Sequence, residues 1–174
     1  MGATSGISLV ILRMAVWVVG TIVVLIASPI PKLPGNVPVS FESAQIPDKQ
    51  LRRIEFTRRG MGELKTEKGV LLPFSMFDAS DGVKLTAISA EFNSSQRAKE
   101  IFEDEIAKAM KLIEHGAKKD KGGKVVGDRA RVLFKGNSPD ASISALVWTQ
   151  GKYFHEIIST SWTDIQELEK AYSD

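Results

Sequence analysis

Between Ile7 and Ile30 the chain reads ISLVILRMAVWVVGTIVVLIASPI, with Arg13 as its one charged residue. As a helix this stretch would span roughly 36 Å, enough to cross a hydrocarbon core of about 30 Å. The Val, Ile and Leu residues from Ile7 to Ser28 favour insertion by roughly 4–8 kcal/mol, and Arg13 opposes it by at most about 3 kcal/mol. β-Branched residues are no obstacle in lipid, where a helix must close its own backbone hydrogen bonds. Pro29 and Pro31 end the segment. Residues 1–30 are therefore expected to be a transmembrane anchor or a signal segment. A retained single-pass anchor is preferred, because the leader has no basic cluster and no A-x-A pattern near Ala27 and Ser28. The flanking charges give little asymmetry, and the domain is expected on the extracytoplasmic side.

Residues 31–47 form a proline-rich linker with Pro31, Pro34, Pro38 and Pro47, a composition that gives a stiff, extended spacer. Residues 48–174 are long enough for a single α+β domain with one core. All 21 acidic residues and all but one of the 23 basic residues lie beyond the apolar stretch. That near-neutral balance gives no basic footprint for nucleic acid. Cysteine is absent, which excludes disulfides, thiolate metal sites and cysteine nucleophiles.

Residues 48–68 carry little periodicity, although Leu51 and Ile54 would share a face of a short helix. Arg52, Arg53, Arg58 and Arg59 are the densest basic cluster, able to attract anionic lipid at about 1 kcal/mol each if the domain faced the cytoplasm. Val70–Phe77 reads as a strand that Pro73 assigns to an edge or bulge. Asp78–Gly82 is a turn by composition, and Val83–Phe92 is the strand's partner. Asn93 to Ser95 offers helix-capping chemistry, and Ala98, Ile101, Phe102, Ile106, Ala109, Met110 and Ile113 make an apolar stripe. The expected helix runs to His115, a cation suited to a helix end, with Gly116 as its stop. Ala117–Lys124 reads as a lysine- and glycine-rich loop. It is no phosphate loop, since Val125 follows Lys124 where Ser or Thr is needed.

Gly127–Phe134 reads as a strand, and Gly136–Asp140 as a turn. Ser142–Thr149 and Lys152–Thr160 form a hairpin at Gln150-Gly151, with Trp148 opposite Tyr153 and Leu146 opposite His155. Ser161 or Thr163 caps a last helix whose stripe is Ile165, Leu168 and Tyr172. The order ββαβββα predicts an α+β fold, an antiparallel sheet of about five strands with both helices on one face. In topology this order resembles PsbP-type sandwiches, a resemblance that implies a layered antiparallel sheet and no residue-level role.

Catalytic chemistry is thin. His155 would need Ser144 or Ser159 as nucleophile and Glu156 or Asp164 to orient it, but a serine two or more residues along a strand lies about 7 Å or farther away. Neither HExxH nor a complete calcium loop is present. No catalytic residue, metal or cofactor is expected. Trp148, Tyr153, His155 and Trp162 are the candidate recognition group, because rigid rings with a polar handle favour binding surfaces. The expected function is a non-enzymatic interaction module, anchored through residues 7–30, for a protein or small-ligand partner. The alternatives are an exported small hydrolase using His155 and a cytoplasm-facing domain docking on anionic lipid through the four arginines.

Overall fold

The computed structural model describes residues 46–136 and 142–172. The apolar stretch 7–30, nearly all of the linker and most of the turn after Gly136 lie outside the described residues. Among the described residues no helix is long and apolar enough to cross a membrane. In chain order the elements are α1 (Asp48–Arg53), β1 (Thr57–Lys65), β2 (Leu71–Asp78), β3 (Lys84–Glu91), α2 (Ser95–Ala107), β4 (Lys111–Lys119), β5 (Val125–Lys135), β6 (Ser142–Gln150), β7 (Tyr153–Ser159) and α3 (Trp162–Ala171).

β6 and β7 set the architecture. Ala145 to Thr149 and Phe154 to Ser159 are buried at every consecutive position. Successive strand residues point to opposite faces, so such strands need cover on both sides. The sheet has seven strands in the order β1-β2-β3-β7-β6-β5-β4, all antiparallel. Two meanders, β1 to β3 and β4 to β7, meet where β3 lies beside β7. On one face α2 packs Ala98, Ile101 and Phe102 against Ala130, Val132, Val147 and Ile158. On the other, Leu51 of α1 with Ile165 and Leu168 of α3 covers Phe77, Leu85, Leu146, Trp148 and Ile157. The α+β class holds. The expected five strands become seven, and the helices divide between the two faces, because the central strands have no polar face to leave in water.

Two strands were not foreseen. In β1 only Leu64 is buried, and Gly60 and Gly62 blank out the alternation. β4 lies inside the segment expected to be helical. α2 stops at Ala107, and Met110, Ile113, His115 and Gly116 fall on or beside β4. Ladder pairing with β5, through Leu112 to Val132 and Gly116 to Arg129, outweighs the local helical stripe. The lysine-rich loop shrinks to a tight turn. Asp120 Oδ1 accepts from the N–H groups of Gly122 and Lys124, both at 2.9 Å, and Gly123 takes φ +81°.

The β6–β7 register differs from expectation by two residues: Gln150 faces Tyr153, and Trp148 faces His155. Gly151 opens the two-residue loop with φ 57° rather than closing it. A shift of two preserves every face. Pro73 lies just past the β2–β3 ladder, which begins at Phe74 and Ile88, so its missing N–H breaks no bond there. Ser161, rather than Thr163, caps α3, its Oγ accepting from the Asp164 N–H at 3.3 Å.

Gly127 sits where β5 crowds β6. A Cβ there would stand 2.1 Å from the Thr149 carbonyl oxygen and 2.6 Å from its carbon. Gly127→Ala is expected to cost about 1–3 kcal/mol in urea unfolding. Gly62→Ala, which meets only the Phe74 ring at 2.7 Å, should cost less because that ring can turn away. Equal losses at the two sites would contradict this packing.

Candidate functional site

One row of residues crosses the sheet beneath α3. Ser89 pairs with His155, His155 with Trp148, Trp148 with Arg129, and Arg129 with Gly116. His155 Nδ1 lies 3.1 Å from Ser89 Oγ, and the Ser89 hydroxyl donates to Tyr172 Oη at 2.9 Å. The three polar groups form one chain, with Ser89 Oγ between the imidazole and the phenol. The His155 ring stacks on Trp148 at 4.8 Å and 22°, and Tyr172 meets Trp148 edge-on at 5.4 Å. Tyr153 lies nearly parallel to His155 at 6.2 Å.

A charged network closes the neighbouring side. Arg129 grips Glu169 with two hydrogen bonds of 2.9 and 3.0 Å and reaches Glu114 at 3.3 Å. Lys118 binds Glu169 at 2.7 Å and stands 5.2 Å from the Trp148 ring centre. Burial pushes the His155 imidazole down to about 3, with the Lys118 charge acting in the same direction. Burial pushes the Tyr172 phenol up to about 12. Burial alone would raise the Glu169 carboxyl, but hydrogen bonds from Arg129 and Lys118 hold it below its ordinary value.

This is poor equipment for base catalysis. An efficient general base titrates near the working pH, and His155 is neutral far below it. Ser144 and Ser159 face each other across β6 and β7, and Ser159 Oγ donates to the Lys84 carbonyl at 3.0 Å. Glu156, one residue along β7, points to the opposite face from His155. Asp164 sits in the first turn of α3. The cavity against Ser89 and Tyr172 holds about 10 Å³, space for one water at most. Among the described residues no three His, Asp or Glu side chains gather to hold a metal.

The expected recognition group does not make one surface. Trp148 is fully buried and His155 nearly so, and Tyr153 is half-buried beside them. Trp162 packs against the same cluster as Trp148, but its ring is taken up by the Arg131 guanidinium at 4.0 Å. The four arginines likewise divide. Arg58 binds Asp48 at 3.1 Å and the Ile46 carbonyl at 2.6 Å, Arg59 pairs with Asp78, and Arg52 and Arg53 remain exposed on α1. Ser89, Lys118, Arg129, Glu169 and Tyr172 were missed as a group, since the β3–β7 pairing that gathers them joins residues 66 apart.

The open surface lies at the far edge. α2 packs on the central strands and leaves β4 uncovered, exposed at every position except Lys118. Between α2 and the β4–β5 ribbon runs a groove of about 280 Å³ bounded by Lys99, Phe102, Glu103, Ile106, His115 and Asp128. Phe102 and Ile106 give it an apolar lining, His115 stands 5.9 Å from Phe102, and Lys99 pairs with Asp128 at 3.4 Å. Met110, Leu112, Ile113 and Val125 are exposed on or beside the β4–β5 ribbon.

No protein-family model matches the chain, and no curated protein matches it. Among solved structures it is similar to a GTP binding regulator from Thermotoga maritima, at 8% identity and a TM-score of 0.47, over 80% of this chain and 93% of the other. Nothing about function follows from a likeness at that level.

The buried histidine has a thermodynamic consequence. In the unfolded chain His155 takes a proton below about 6.5, whereas in the fold it stays neutral down to about 3. The unfolded state therefore binds more protons in that window, and stability falls as pH falls. Between pH 6.5 and about 5.5, above the range where Glu169 contributes, urea unfolding should lose on the order of 1 kcal/mol per pH unit. His155→Phe should flatten that slope. An unchanged slope would mean that the ring is protonated in the fold.

Proposed function

We propose that this chain is a non-enzymatic interaction domain, held at a membrane through residues 7–30 and displayed on the extracytoplasmic side. It meets a protein partner through β4 and the groove beside α2. The observation that carries this reading is the contrast between the two candidate sites. The histidine cluster is sealed, with its titratable groups pushed far from working pH, while β4 presents Leu112 and Ile113 at 46% and 41% exposure. Apolar side chains clustered around a groove are the ordinary signature of a protein-binding surface. The tether rests on the sequence argument for residues 7–30. The hydrolase reading finds no support in a serine buried between His155 and Tyr172 beside a cavity of about 10 Å³. The lipid-docking reading loses two of its four arginines to ion pairs with Asp48 and Asp78.

A photo-crosslinking amino acid at Leu112 of the membrane-bound chain is expected to give one discrete protein adduct. The same group at Lys84, exposed on β3, should give none. Val18→Arg with Val23→Arg adds roughly 6–8 kcal/mol to insertion and should move the chain out of the carbonate-washed membrane fraction. Adducts of equal yield at Leu112 and Lys84 would remove β4 as the interaction surface. Retention of the double variant in the membrane would remove residues 7–30 as the tether.

A further inference from the structure

Among the described residues β4 is bonded to β5 on one side and to nothing on the other. An open strand edge templates the addition of another strand unless charge or irregularity blocks it. Over its whole length β4 is blocked. A second β4 laid antiparallel and centred on His115 would place Lys111 opposite Lys119 twice, and like charges directly opposite resist pairing.

The first half of the strand behaves differently because of its bulge. Lys111 and Glu114 are three residues apart, which in a regular strand puts them on opposite faces. A register shift between Leu112 and Glu114 changes that: Lys111 pairs with Leu133 and Glu114 with Arg131, two positions apart on β5. Both therefore lie on the α3 side, where Glu114 reaches Arg129. Leu112 and His115 pair with Val132 and Ala130, which belong to the core under α2, so those two share the other face.

We infer that two copies of this chain join through β4, edge to antiparallel edge, about a two-fold axis between Leu112 and Ile113. In that register Lys111 of each copy faces Glu114 of the other, Leu112 faces Ile113, and Met110 faces His115. Each opposed charged pair lies on one face, as antiparallel neighbours must, and each contact occurs twice, as an isologous interface requires. Pairing covers Met110, Leu112 and Ile113, at 58%, 46% and 41% exposure. The α2-side grooves of the two copies come to lie side by side. This inference rests on reading β4 as the partner surface and names a second copy as the partner.

The absence of cysteine from the chain makes the test clean, since only introduced thiols can bridge. Directly opposed antiparallel residues stand about 4.5–5.5 Å apart at Cα, within disulfide reach. Full-length Leu112→Cys mixed with full-length Ile113→Cys and mildly oxidised should give a mixed disulfide dimer well above the yield of a Lys119→Cys chain alone. Adding Lys111→Glu to both chains sets glutamate against Glu114, and adding Glu114→Lys to both sets lysine against Lys111. Either is expected to cut the yield about tenfold. Lys111→Glu on one chain with Glu114→Lys on the other sets glutamate against lysine at both charged contacts and should recover most of the yield. No mixed dimer, or the same yield from Lys119→Cys, would overturn the inference. If the Leu112 photo-adduct with a different protein persisted in that case, self-pairing alone would have failed and β4 would keep its role as a partner surface.

Discussion

Burial of β6 and β7 on both faces is the constraint on which the remainder depends. Trp148, Leu146 and Ile157 need cover on one side, and Val147, Phe154 and Ile158 need it on the other. Fully burying a side chain of this size is worth roughly 1.5–3 kcal/mol, so neither face can be left wet. α2 must therefore sit opposite α1 and α3. A helix is about 10 Å across and covers two or three strands spaced about 4.8 Å apart. With α2 committed to the centre, the outer strand β4 is left open. The buried polar row and the exposed edge are two results of one packing problem.

The polar row shows how a sheet can bury hydrogen-bonding groups without making them reactive. Ser89, His155 and Tyr172 satisfy one another in a cavity too small for a substrate. Glu169 is held by Arg129 and Lys118, so its charge enters the interior already paired. Removing one member of such a network leaves another unsatisfied, which is why the network ties α3 to the sheet more firmly than its apolar contacts alone. A histidine and a serine at hydrogen-bond distance look like the beginning of a catalytic device. Here both are buried, and the cavity beside them holds about 10 Å³, no more than one water.

Much of this was legible in the chain. The cap at Ser94, the stripe of Ala98, Ile101 and Phe102, the strands β2, β3 and β5 to β7 and the helix after Ser161 follow from local pattern. What was not legible depends on distant partners. Met110, just before β4, and Ile113 within it stand at helical spacing from Ile106, and only pairing with β5 turns the chain into a strand. β1 has glycine at Gly60 and Gly62, where alternation would have been read, because Met76 and Phe74 occupy that space. The face of α2 could not be assigned from its own stripe, since an amphipathic helix does not say which side of a two-sided sheet it covers. His155 was expected as a recognition residue, whereas the fold buries it, and its partners Ser89 and Tyr172 come from β3 and the end of α3.

Amide hydrogen exchange on the full-length chain, reconstituted into a lipid membrane as the proposed tether requires and again as a dilute detergent-solubilised monomer, tests the central claim most directly. Amides over Met110–His115 should be slow in the membrane and fast in the monomer, while β7 stays slow in both states. If β4 exchanged equally fast in both and the change in protection fell instead on Ser89 and His155, the functional surface would lie under α3 and β4 would be an edge without a partner.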